Sequence, residues 1–87
     1  MSKVQVTLEA PIRDFIVDTL RFILEESTIR RLKKAKVDKL GYIKCMIDRF
    51  ELEQMVGELS HEGNHTKDRK TQMMAHYAAE VLEIYSR

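Results

Sequence analysis

The segment from Arg30 to Lys44 concentrates side chains that bind anions. It holds seven of the fifteen lysines and arginines of this 87-residue chain and a single acid, Asp38. The seven basic residues are Arg30, Arg31, Lys33, Lys34, Lys36, Lys39 and Lys44. Because the formal net charge of the whole chain is only +1, this basic band is a local concentration of charge. It predicts a localised anionic partner, which is a nucleic acid, a small phosphorylated ligand or an acidic protein surface. The alternative is a solvated helical face, on which Glu26 pairs with Arg30 one turn later.

A second pattern concerns metal chemistry, because His61-Glu62-Gly63-Asn64-His65 has the spacing of the zinc-protease motif. In that motif two histidines on one helical face bind the metal, and the glutamate activates a metal-bound water. Gly63-Asn64 favours a turn over the required helix. A third ligand would have to come from Glu80 or Glu83. We therefore expect no zinc site, and zinc-dependent hydrolysis is only a remote alternative.

Other catalytic patterns are missing from the sequence. The three glycines are too scattered for a nucleotide-binding loop. Cys45 is the only cysteine, so no intrachain disulfide forms, and we interpret it as a small filler residue. The sequence predicts a protein that is not an enzyme and that has no cofactor.

Apolar residues at three- and four-residue spacing predict helices through the first half of the chain. The first helix extends from Pro11 to Leu24, with Pro11 in the first turn. A break near Ser27, a good N-cap residue, separates it from a second helix that begins near Thr28 and bends between Ala35 and Lys39. The apolar stripe of this second helix consists of Ile29, Leu32, Leu40, Ile43, Ile47 and Phe50.

The second half of the chain predicts a subunit contact and one more helix. Beyond Phe50 the apolar set rotates by more than 90° on a helical projection with 100° per residue. This rotated set predicts an oligomer interface made of Leu52, Met55, Val56 and Leu59. Gly63-Asn64 ends that helix, and a last helix begins at Thr66. The chain is therefore expected to form a homo-oligomer, either a dimer or an assembly of dimers.

The N-terminal residues predict a short strand, because Val4, Val6 and Leu8 alternate with polar residues. Lys3, Gln5 and Thr7 form its polar face. A strand of this kind followed by a helix resembles the opening of ribbon-helix-helix repressors, in which paired strands of a dimer enter the major groove of DNA. The resemblance covers about the first 25 residues. It implies DNA binding by a dimer.

Together these patterns predict an all-α fold: a small bundle of three or four amphipathic helices with a short N-terminal strand, in one domain over residues 1–87. No apolar run is long enough to cross a bilayer and no secretory signal is recognised, so we expect a cytoplasmic protein without a membrane partner. The leading hypothesis for function is a non-enzymatic regulatory module whose helices mediate homo-oligomerisation and bind a protein partner. The alternative is nucleic-acid or phosphate-ligand binding by the basic band.

Overall fold

A computed structural model of the chain describes residues 2–87. Two strands and four helices follow one another as β1 (Lys3–Glu9), α1 (Ala10–Leu20), α2 (Glu26–Lys34), β2 (Tyr42–Asp48), α3 (Arg49–His65) and α4 (Arg69–Ser86). The fold is predominantly helical, as predicted. It is not all-α, because a two-stranded sheet is part of it. None of the helices within residues 2–87 is both long and apolar enough to cross a membrane.

The two strands pair antiparallel, with Lys3 opposite Asp48 and Glu9 opposite Tyr42. The inner face of the sheet buries Val6, Leu8, Ile43, Cys45 and Ile47. The N-terminal strand is therefore confirmed, together with the direction of its apolar face. Its partner, however, is a strand of the same chain. The ribbon-helix-helix resemblance implies that β1 pairs with β1 of a second copy. In the structure, the backbone of β1 forms its ladder hydrogen bonds with β2 instead.

The prediction of a long second helix is wrong, because α2 ends at Lys34 and the residues after it form a loop and β2. Ile43 and Ile47 are four residues apart, a spacing that fits both a helix and a strand. Cys45 is buried between the exposed residues Lys44 and Met46, so burial alternates every second residue, which is the period of a strand. Leu40 and Phe50, which the helical stripe predicts to be covered, are 82% and 78% exposed.

The break between the first two helices is confirmed, but its cap differs from the predicted one. The N-cap of α2 is Glu25 rather than Ser27, and no side chain of that residue caps the helix. The other end of α2 is held by α1. The guanidinium of Arg13 donates to the carbonyl oxygens of Leu32, at 2.7 Å, and Ala35, at 3.1 Å. A cation at a helix C-terminus satisfies carbonyls that have no partner in the helix.

The turn predicted at Gly63-Asn64 is also wrong, because both residues lie inside α3 and the chain turns at residues 66–68. Gly63 is buried where α3 meets α4, and the ring of His76 occupies the space that a Cβ atom on Gly63 would need. The glycine therefore serves close packing between two helices instead of ending one. Asp68 starts α4 by accepting a hydrogen bond from the backbone of Thr71 at 2.9 Å.

The predicted oligomer interface lies in the core of the single chain. Leu52, Met55 and Leu59 are each 0% exposed and pack with the inner face of the sheet, while Val56 is half-buried against the same cluster. The physical reason is the strand–helix junction after Asp48. Since α3 begins afresh there, the apparent rotation of the apolar set is a change of element and not a second face of one helix. These residues are not available for a subunit contact.

Candidate functional site: a lysine surface beside the outer face of the sheet

The outer face of the sheet is exposed in its middle, while Thr7, Glu9 and Asp48 on the same face are half-buried and the Tyr77 hydroxyl of α4 donates to Glu9. Lys3 and Gln5 of β1 and Lys44 and Met46 of β2 are all exposed there. Helices flank both strands of the sheet. On the β2 side, Arg31 of α2 donates to the carbonyl oxygen of Met46 at 3.2 Å. On the β1 side, the Tyr85 hydroxyl of α4 lies 3.5 Å from the carbonyl oxygen of Thr7. The sheet thus presents a short ribbon with its polar side outward.

The connection into β2 is a tight turn organised by Asp38. Its carboxylate oxygen Oδ1 accepts hydrogen bonds from the backbone N–H groups of Leu40, at 2.9 Å, and Tyr42, at 3.0 Å. The backbone N–H of Asp38 donates to the Tyr42 carbonyl at 2.8 Å, and Gly41 has a φ of 88°, which suits glycine. The backbone hydrogen bonds from Tyr42 and Leu40, and the nearby charge of Lys44, hold the pKa of Asp38 below its ordinary value. The one acid of the basic band is therefore engaged by the turn itself.

Four lysines of the basic band remain exposed around this turn: Lys34, Lys36, Lys39 and Lys44. We call these four residues the lysine surface. Lys34 ends α2, Lys36 and Lys39 lie in the connection, and Lys44 lies on the outer face of β2. The ion pairs within residues 2–87 are Arg13–Asp14, Arg21–Asp18 and Arg30–Glu26, and none of them involves these lysines. The fold therefore holds none of the four in an ion pair, although the charge of Lys44 acts on the nearby Asp38 carboxylate.

The other three residues of the basic band are in different settings. Arg30 pairs with Glu26 at 3.1 Å, which is the solvated helical pair predicted from the sequence. Arg31 turns inward to Met46 and Thr28. Lys33 lines a depression together with acidic residues of α1. A helical projection of the sequence places Arg30, Lys33, Lys34 and Lys44 within roughly 80° of each other on one face. The structure does not, because Lys44 is on a strand.

Behind Arg31 lies a buried polar link that sequence reasoning missed. The hydroxyl of Thr28 donates to Oε1 of Glu51 at 2.6 Å, and the Arg31 guanidinium donates to the same hydroxyl at 3.2 Å. Burial raises the pKa of the neighbouring Cys45 thiol, while the charge of Arg31 acts in the opposite direction. A buried thiol with a raised pKa is unreactive, which fits the interpretation of Cys45 as a filler residue.

His61 and His65 lie on one face of α3, with ring centroids 4.1 Å apart. The turn that was expected to separate them does not form, so the sequence argument against a metal at this position is wrong. A zinc site still needs a third ligand. Within residues 2–87, no group of three His, Cys, Asp or Glu side chains is arranged to hold a metal ion. That this pair holds no structural or catalytic zinc stays a prediction, now based on the missing ligand.

Three grooves are described along residues 2–87, and the largest of the three, of about 970 Å³, is lined by no residue of the lysine surface. It is formed by the start of β1, the connection between α1 and α2, and the first turn of α3, and Ile23 and Phe50 both line it. Nearby, Phe22 is 93% exposed. Charged residues of both signs surround the two apolar side chains in this groove: Lys3, Arg31 and Arg49, with Glu25, Asp48, Glu51 and Glu53.

No protein-family model, no curated protein and no solved structure matches this chain.

Proposed function

We propose that the protein binds nucleic acid through the lysine surface and the adjoining outer face of the sheet. One observation carries the proposal: four exposed lysines follow one another along α2, the turn and β2, and the ion pairs among residues 2–87 include none of them. The acid among them, Asp38, is occupied by backbone N–H groups. Unneutralised ammonium groups gain free energy by replacing the counterions condensed on a polyphosphate backbone.

An extended polyanion suits this surface better than a small phosphorylated ligand. Small ligands bind in concave sites that enclose most of their surface. The lysine surface extends from the end of α2 through an exposed connection to β2, and none of its four residues lines the groove at Ile23 and Phe50, the depression at Lys33 or the pocket between α3 and α4. Contacts spread along such a segment match a chain of phosphates.

The outer face of the sheet favours a duplex as the partner. The major groove of B-DNA admits a two-stranded β-ribbon, and base edges there are read by hydrogen-bonding side chains. The outward residues of β1 supply such groups, namely Lys3, Gln5 and Thr7. In the sheet Thr7 lies directly opposite Lys44. The ribbon and the lysine surface therefore share a residue, and one ligand reaches both.

Charge reversal with a matched control tests this proposal. The variant Lys34→Glu/Lys36→Glu/Lys39→Glu changes exposed residues without ion pairs, so its circular dichroism spectrum should match that of the wild type. Its affinity for a short fluorescein-labelled duplex, measured by anisotropy at low salt, should fall more than about tenfold. The control Lys67→Glu/Arg69→Glu/Lys70→Glu makes the same change of charge at exposed residues around the start of α4 and should bind nearly as the wild type does. Equal affinity of the two triple variants would remove the proposal.

A second candidate function is self-association through the largest groove rather than through the predicted interface. Ile23 is 43% and Phe50 78% exposed, and large exposed apolar side chains around a groove are typical of an interface. A two-fold contact brings the same surface of two copies together. The groove carries both signs of charge, so a two-fold contact would bring basic residues of one copy near acidic residues of the other. We propose a second copy of this chain as its occupant.

A further inference from the structure

Leu40 lies at the tip of the turn into β2 and is 82% exposed. It adds nothing to the hydrophobic core, and Val37 in the same connection is half exposed. The turn that carries Leu40 is fixed by the paired backbone of Asp38 and Tyr42 and by the Asp38 carboxylate. These hydrogen bonds keep the Leu40 side chain exposed, because the turn would have to break them in order to cover it.

We propose that Leu40 is a wedge that inserts between adjacent base pairs of the bound duplex. This inference rests on the proposed function. Apolar side chains are used in this way by proteins that unstack a base step and bend the duplex. Lys39 precedes Leu40, and Lys36 and Lys44 lie on the two arms of the turn, so ammonium groups are available for the phosphates on either side of the step.

The residue after Leu40 also fits a wedge. Gly41 has no side chain, and an added Cβ atom there would have no heavy atom within 4 Å. One flank of the wedge is therefore bare backbone with open space beside it. Such a flank lets the chain approach a base pair closely. A preformed tip also avoids the entropy that a disordered loop would lose on binding.

The acyl region of an anionic membrane is the other environment that an apolar tip among lysines can enter. The neighbouring residues favour DNA. From the turn the chain continues into the outer face of the sheet, where Gln5 and Thr7 supply an amide and a hydroxyl. These groups form hydrogen bonds with base edges, whereas acyl chains offer them no hydrogen-bond partner.

The test is a duplex with 2-aminopurine at its centre, whose fluorescence rises when its base stack opens. Wild-type protein should raise this fluorescence, and Leu40→Ala should abolish the rise. The same variant should bind about tenfold more weakly, because it loses most of an apolar side chain. Its affinity should keep the salt dependence of the wild type, since that dependence counts phosphate contacts and not apolar ones. Phe22→Ala, which removes another highly exposed apolar side chain, should leave both signals unchanged.

The other outcomes are separable. Salt-dependent binding of the duplex with no rise in fluorescence, or with a rise that persists in Leu40→Ala, would overturn the wedge and leave the proposed function intact. No binding of the duplex at low salt would overturn both. If the protein instead binds vesicles of phosphatidylcholine and phosphatidylserine in a Leu40-dependent way, without binding the duplex, the tip is a membrane contact and the inference is wrong.

Discussion

At the scale of single residues, Asp38 determines the shape of the turn that carries the lysine surface. Its carboxylate accepts from two backbone N–H groups, and no lysine forms an ion pair with it among residues 2–87. An Asp that bonds the backbone two residues later is typical of tight turns. The sequence marks Asp38 only as the exception within the basic band. Its role as the organiser of the turn becomes clear once Tyr42 is known to begin a strand.

The Asp38 carboxylate should stabilise the turn in a pH-dependent way. Its pKa is lowered from 3.8, first by the hydrogen bond from the Tyr42 backbone. A lowered pKa in the folded state means that the stabilisation is present above 3.8 and is lost as the pH falls through the lower value. The amide proton shifts of Leu40 and Tyr42, followed by NMR, should therefore titrate below pH 3.8. Asp38→Ala should abolish that titration, and a midpoint at or above 3.8 in the wild type would contradict the geometry.

Two glycines should respond in opposite ways to the same substitution. Gly41 has a φ of 88°, and a side chain in that region costs about 1–2 kcal/mol, so Gly41→Ala should lower the free energy of unfolding by that amount. Gly57 lies inside α3 with open space around it, so Gly57→Ala should raise it by about 0.5–1 kcal/mol. Urea unfolding followed by circular dichroism measures both. A stabilised Gly41→Ala protein would show that the turn is not as described.

At the scale of elements, α2 and α3 are joined by the buried hydrogen bond from Thr28 to Glu51. Thr28 is 1% and Glu51 9% exposed. Breaking such a bond leaves a carboxylate oxygen without its donor in a poorly solvated site, which costs more than the bond contributes when it is made. The link also fixes Arg31, which donates to the same hydroxyl. It therefore sets how α2, and with it Lys34, is placed against the sheet.

Thr28→Val should lower the free energy of unfolding by about 1–3 kcal/mol, because it removes the hydroxyl and keeps the volume of the side chain. Thr28→Ser is the matched control, since it retains the hydroxyl and should preserve most of the stability. The measurement is again urea unfolding. If the valine variant were as stable as the serine variant, the hydrogen bond would contribute nothing to the free energy of unfolding.

Elements that depend on local signals could be predicted from the sequence, and those that depend on distant partners could not. β1 shows its alternation within six residues, and α1 shows Pro11 in its first turn. β2 is a strand because it pairs with β1, from which it is separated by two helices. Its own residues fit both periods. The extent of α3 through Gly63 likewise depends on a contact with α4, which no local pattern reports.

In the candidate site too, some features could be predicted from local sequence and others depend on distant partners. The lysines of the basic band are exposed, as their charge indicates, and that they bind an anion stays a prediction. Their grouping was wrong, because the projection assumed one helix from α2 to Lys44. The contributions of Lys3 and Gln5 were visible as a polar strand face, but only the pairing with β2 brings that face next to Lys44.

At the scale of the whole molecule, the proposed self-association should depend on Phe50 and not on Met55. Phe50→Glu places an acid in the first turn of α3, where a helix tolerates it well. The variant should stay folded and sediment as a monomer, whereas the wild type should sediment as a dimer at high micromolar concentration. Met55→Glu should unfold the protein instead, because Met55 is 0% exposed. A wild-type chain that stays monomeric at high micromolar concentration would defeat the proposal.

The central claim, that the lysine surface binds the phosphates of a duplex, is tested most directly by the salt dependence of affinity. The slope of log Kobs against log salt concentration is about −0.9 for each phosphate contact, so four contacts give a slope of about −3.6. We expect that value for the wild type and, because Lys44 is the one lysine of the surface that remains, a slope of about −0.9 for Lys34→Glu/Lys36→Glu/Lys39→Glu. A wild-type slope near zero, or the same steep slope in the triple variant, would contradict the claim.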